Sequence, residues 1–107
     1  MTVSELLADH FVGLRPDDLP PRLIDDAMTL VLDYLGVGLA GSQTDSGRIA
    51  ARFAAETGGS AEATMIGDGR LVPAVHAAFA NAIASHSVEL DDVDVLALFH
   101  ISPPVVS

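Results

Sequence analysis

The sequence predicts a mainly α chain, a bundle of about four helices with one small β-hairpin near residues 63–72. Two observations lead there. Apolar residues recur at three- and four-residue spacing in four stretches, each bounded by proline or glycine. The period breaks clearly once, around Gly67-Asp68-Gly69, where short apolar runs flank a turn signal.

The elements follow in order. Thr2 and Glu5 have capping-box spacing, and Leu6, Leu7, Phe11 and Leu14 continue at helical intervals. A first helix of about three turns is expected, closed by Gly13 and Pro16. Arg15–Pro20 reads as a turn or short 3₁₀ piece. Pro20-Pro21 then suits a helix start, because proline at the first helical position loses no hydrogen bond. The second helix should run from about Pro21 to about Leu39. It is apolar over more than half its circumference, which predicts a central helix packed on several sides. Gly36 and Gly38 each cost roughly 1 kcal/mol against alanine inside a helix. Either a neighbouring helix approaches closely there, or the helix ends. Gly41 is a good terminating glycine.

Ser42–Ser46 reads as a polar loop. Ile49, Ala50, Phe53 and Ala54 define a third helix, stopped by Gly58-Gly59. Residues 63–66 and 71–72 form the hairpin. Pro73 opens a fourth, alanine-rich helix to about Ser85, whose small residues allow close packing. The tail from His86 to Ser107 changes character. It ends on Val105-Val106 directly after Pro103-Pro104, as though another helix were beginning, so a C-terminal truncation is expected.

Composition excludes several functions. Fifteen acids face five bases, for a formal charge of −10. The bases are all arginine (Arg15, Arg22, Arg48, Arg52 and Arg70), and none follows Arg70. No cation cluster exists for nucleic acid or an anionic membrane. Cysteine is absent, which removes disulfides, thiolate metal sites and cysteine nucleophiles. The first residues carry acids where a signal peptide carries positive charge. The longest apolar region, Ala27–Ala40, is too short and too polar to span a bilayer. A cytoplasmic protein is expected.

The residues that could carry chemistry gather in the tail: His86, Glu89, Asp91, Asp92, Asp94 and His100. Closely spaced acids repel one another, which inside a cleft makes a candidate general acid or base. The same residues also read as a solvated acidic loop, or as a divalent-cation site for Mg²⁺ or Mn²⁺. His100, between Phe99 and Ile101, is either a satisfied core histidine or a base tuned by burial and carboxylates. His86 closes the fourth helix, where it favours the dipole. His10 and His76 have no partner at ligand spacing. Gly67-Asp68-Gly69 lacks the features of a phosphate loop, and the serines fit no nucleophile elbow.

Longer stretches resemble a known family. Leu-Ala-Asp-His-Phe-Val-Gly-Leu, Asp-Leu-Pro-Pro and Leu-Asp-Tyr-Leu-Gly-Val-Gly-Leu-Ala-Gly-Ser occur in order. Ala-Thr-Met-Ile-Gly-Asp-Gly, Ala-Phe-Ala-Asn-Ala-Ile-Ala-Ser-His-Ser and Glu-Leu-Asp-Asp follow, and then His100. This series resembles the start of the MmgE/PrpD family, which includes 2-methylcitrate dehydratase, cis-aconitate decarboxylase and iminodisuccinate epimerase. The resemblance implies that residues 1–107 are the N-terminal portion of a larger all-α domain. It also implies a homodimeric lyase or isomerase of small di- or tricarboxylates, working by proton transfer without metal or organic cofactor.

The family's site segment reads like His-Ser-Leu-Asp-Phe-Asp-Asp-Thr, followed by a histidine in His-Pro-Ser. Carried over, Glu89 is its first acid, Asp91-Asp92 its acidic pair and His100 its histidine. Here Glu89 is one methylene longer, Val93 lacks the threonine hydroxyl, and Ile101 replaces the proline. The resemblance thus implies His100 and Glu89 as catalytic, and Asp91, Asp92 and His86 as substrate-binding. A carboxylate substrate needs cations. Residues 71–107 hold none, so binding is expected only in the full-length context. The alternative is an inactive remnant or a helical interaction module.

Overall fold

The computed structural model describes residues 1–107. It contains helices α1 (Val3–Gly13), α2 (Pro21–Gly41), α3 (Asp45–Thr57), α4 (Ala74–His86) and α5 (Ser102–Val106). A 3₁₀ turn covers Pro16–Asp18, and strands β1 (Ala63–Thr64) and β2 (Leu71–Val72) form the hairpin.

Local signals act much as their chemistry dictates. The Thr2 side chain accepts from Glu5 N–H, and the Glu5 carboxylate accepts from Thr2 N–H at 2.7 Å. Thr44 caps α3 by accepting from Gly47 N–H at 3.1 Å, so α3 begins inside the stretch read as a polar loop. β1 and β2 pair antiparallel, with Ala63 opposite Val72 and Thr64 opposite Leu71. Positive φ at Gly67 and Gly69 makes the turn between them. Asn81 on α4 clamps the hairpin: its side chain accepts from Ile66 N–H at 2.8 Å and donates to the Thr64 carbonyl at 3.1 Å. Glu62 also receives Ala74 N–H, an otherwise orphan donor in the first turn of α4.

α4 is the hub and packs against α2, α3, α5 and both strands. Its alanines make this possible. Ala77 and Ala80 meet Ala50 and Ala54 of α3, with Met65 and Val72 filling the space toward the hairpin. Met65 is the largest fully buried side chain, at 1% exposure.

One open question closes and one expectation changes. α2 runs through its paired glycines to Gly41, near the expected end at about Leu39, with Ser42 as its cap. Gly38 packs on Ile66, and a Cβ on Gly41 would meet the Ala84 carbonyl oxygen at 1.8 Å. The close approach therefore falls at Gly41, where α2 meets the main chain of α4. Gly36 has nothing nearby. The expectation that changes is that α2 packs on several sides: only Tyr34, Val37, Gly38 and Gly41 are buried. The elements of this chain cover its C-terminal half alone. Leu19, Leu23, Ile24, Met28, Val31 and Leu35 border an open, wholly apolar groove of about 480 Å³. α1 buries no residue. The radius of gyration is 16.0 Å, against about 13 Å for a compact chain of this length. No helix is long and apolar enough to cross a membrane. The tail adds a fifth helix, α5, which includes Pro103 and Pro104 in its first turn, where proline is tolerated.

Candidate functional site

The site forms where the end of α4 meets the returning tail. His86 is the last residue of α4, and Ser87 N–H still bonds back to Ala84. Glu89 N–H then bonds to the His86 carbonyl, and Glu89 takes the left-handed conformation, φ 53°. That turn reverses the chain and tucks Asp91 beneath the helix end, with its side chain at 0% exposure. Asp94 and Phe99 pair through two backbone hydrogen bonds. Asp94 also accepts the N–H groups of Leu96 and Ala97, both at 2.9 Å. This small loop, with Leu98 at φ 52°, carries His100 back to His86. Asp92 receives Ser102 N–H at 2.9 Å and anchors the start of α5.

The two imidazoles lie edge to face, their centroids 4.6 Å apart. Asp91 is the group between them. Its two carboxylate oxygens lie 3.1 and 3.0 Å from His86 Nδ1, placing the His86 proton on that nitrogen. His100 Nδ1 stands 3.0 Å from the same Asp91 oxygen, but off the line of a hydrogen bond. This buried nitrogen therefore has no hydrogen-bond partner. Glu89 is largely exposed, with Oε1 3.7 Å from His86 Nε2. Burial works to raise the Asp92 carboxyl, but hydrogen bonds from Ser102 and the Ile101 backbone, with His100 nearby, hold it below the usual carboxylate value.

Both rings open onto a cleft of about 760 Å³, with Ser87, Glu89, Phe99 and Pro103 among its walls. No arginine lines it. Arg48, Arg52 and Arg70 instead border a separate cavity of about 410 Å³, where Arg70 is held bidentately by Asp68.

The structure thus brings together His86, Glu89, Asp91 and His100 of the five expected residues, while Asp92 faces the backbone of α5. The acid that stands 3.0 Å from His100 Nδ1 is Asp91. Sequence reasoning missed the Ser46–Ser87 hydroxyl pair, 3.3 Å apart, which lies on the same cleft. No motif marks it, because the two serines meet only through the packing of α3 against α4. His10 and His76 lie elsewhere. His10 contacts Phe11 on exposed α1, and His76 packs edge to face with Phe53.

Buried carboxylate, paired imidazoles and an open cleft are the parts of a proton-transfer site. The MmgE/PrpD N-terminal domain family matches residues 5–107. Cis-aconitate decarboxylase of Homo sapiens is 30% identical over 92 residues, covering 85% of this chain and 19% of that protein. Cis-aconitate decarboxylase of Mus musculus is 32% identical over 93 residues, with the same coverage. The chain therefore spans 19% of the length of these curated relatives. No solved structure matches it.

Proposed function

The chain belongs to the MmgE/PrpD family, and from that premise we propose that residues 1–107 serve as the N-terminal portion of a lyase or isomerase of small di- or tricarboxylates. The reaction is 2-methylcitrate dehydratase-like: a proton moves at a carbon beside a carboxylate, with no metal or organic cofactor taking part. The observation that carries this reading is the buried Asp91 carboxylate against Nδ1 of both His86 and His100.

Asp91 holds the His86 proton on Nδ1 and leaves Nε2 with a free lone pair toward the cleft. That is the state of a general base. When Nε2 takes the substrate proton, the adjacent buried carboxylate stabilises the imidazolium, as an orienting aspartate does in other acid–base pairs. His100 then stands within reach to return a proton. Glu89 flanks His86 Nε2 at 3.7 Å, and Asp92 fixes the backbone that presents His100. The cleft has no arginine, so cations that grip the substrate carboxylates come from outside these residues. The same reading expects a cytoplasmic homodimer.

The test uses the intact protein that carries this segment, with cis-aconitate and 2-methylcitrate as first substrates. His86→Ala and His100→Ala should each lower kcat by roughly 10²–10⁴-fold. Full activity in His100→Ala would overturn the assignment of His100.

A second reading has its own support. α1 and the apolar groove of α2 leave many large side chains in water. Most are about half exposed, so covering each would contribute about 1 kcal/mol. This suits a helical interaction module without catalysis. A monodisperse monomer by light scattering that binds no hydrophobic dye would count against it.

A further inference from the structure

The groups around Asp91 also form a metal-donor set. One ring nitrogen each of His86 and His100 and one carboxylate oxygen of Glu89 all lie within 4.8 Å of one another. Ligands around tetrahedral zinc sit at about 2.0–2.2 Å from the metal, hence roughly 3.3–3.6 Å apart. His86 Nε2 and Glu89 Oε1 are already 3.7 Å apart. The remaining closure asks for small rotations of a His100 ring with an unpartnered Nδ1 and of an exposed Glu89 side chain.

Asp91 supplies an independent feature of such sites. Ligating histidines characteristically turn their second nitrogen to a carboxylate, which sets the tautomer and raises ligand basicity. Here the fully buried Asp91 carboxylate is hydrogen-bonded to His86 Nδ1 and lies 3.0 Å from His100 Nδ1 without a hydrogen bond to it. Nε2 of His86 is then the nitrogen left to ligate, and His100 offers one ring nitrogen beside it. Two imidazoles and one carboxylate suit zinc-class ions rather than Mg²⁺, which demands oxygen ligands. The carboxylates of Asp92 and Asp94 are already taken by backbone N–H groups. The open cleft leaves a fourth position for water.

We propose that His86, Glu89 and His100 bind one divalent transition-metal ion of the zinc class, and that the bound ion silences the proton-transfer site. The binding stands on the geometry alone. The silencing rests on the function proposed above, because an ion on His86 Nε2 removes the lone pair that accepts the proton.

The test is titration of the metal-free chain with Co²⁺, read by visible absorption and followed by competition with Zn²⁺. The expected result is the intense absorption of tetrahedral Co²⁺ at one ion per chain, bleached by Zn²⁺. His86→Ala and His100→Ala should abolish it, and Glu89→Gln should weaken it. Asp91→Asn should cost about 10–100-fold in affinity. Far-UV circular dichroism checks that each variant folds, and Glu89→Gln, at an exposed position, serves even if a histidine variant does not. Absence of the Co²⁺ spectrum, or an unchanged spectrum in Glu89→Gln and either folded histidine variant, overturns the proposal. A second arm adds Zn²⁺ to the intact enzyme, where turnover should fall and return on chelation. Undiminished turnover at saturating Zn²⁺ overturns the silencing. No turnover at all refutes the proposed function, while the Co²⁺ titration still decides the metal site.

Discussion

Gly41→Ala should destabilise the chain, whereas Gly36→Ala, five positions earlier on the same helix, should stabilise it. A Cβ on Gly41 would sit 1.8 Å from the Ala84 carbonyl oxygen and 2.8 Å from its carbon. Real Cβ atoms essentially never come within 3.0 Å of another heavy atom, so α2 and α4 would have to part by about 1.2 Å. The obstacle is main chain and cannot swing aside. Overpacking of this kind costs about 1–3 kcal/mol. Alanine recovers roughly 1 kcal/mol of that through helix propensity. The net expectation is a loss of about 1–2 kcal/mol, because a backbone obstacle belongs at the upper end of the range. At Gly36 nothing lies within 4 Å, so only the propensity remains, a gain of about 0.5–1 kcal/mol. Urea unfolding followed by far-UV circular dichroism separates the two. With a slope of about 1–3 kcal/mol per molar, the midpoints should lie on the order of 1 M apart and on opposite sides of the parent. A midpoint for Gly41→Ala at or above that of Gly36→Ala would refute the close approach of α2 and α4.

Three further perturbations probe other parts of the fold. Met65→Ala should cost about 2–5 kcal/mol by the same urea assay, because the buried side chain fills the space between the alanine faces of α3 and α4. Asn81→Leu should cost about 1–3 kcal/mol, since it leaves Ile66 N–H and the Thr64 carbonyl without partners, and amide exchange at Ile66 should quicken. The Asp68 carboxyl is held below its usual value by the Arg70 hydrogen bond. The associated stability is therefore present above the unfolded pKa of about 3.9 and is lost as pH falls through the lower folded value. Asp68→Asn should flatten the stability profile below about pH 4, and added salt should shrink the difference, as expected for an exposed pair.

Much of the architecture was legible along the chain. Thr2 and Glu5 marked the start of α1, Pro21 the start of α2 and Gly58-Gly59 the end of α3, because each signal acts within one helical turn. The hairpin was legible for the same reason: Gly67 and Gly69 supply the positive φ that its turn requires. The question left open on α2 and the error about its burial share a cause. Whether a glycine pair ends a helix, and whether an apolar face finds a partner, depends on elements far away in sequence.

The candidate site divides in the same way. The sequence by itself determined which residues are present: two histidines, four nearby acids and no cation after Arg70. Only the tertiary structure decided that Asp91, rather than Glu89, stands between the imidazoles, and that Asp92 and Asp94 are taken by backbone. The path from His86 to His100 passes through left-handed conformations at Glu89 and Leu98. Neither residue type signals that conformation, which L side chains seldom adopt. Such turns persist where surrounding contacts hold them, here the buried Asp91 and the Asp94–Phe99 pairing. Local propensity reaches about four residues along a chain; the meeting of two side chains fourteen positions apart is set by the packing that closes the loop between them.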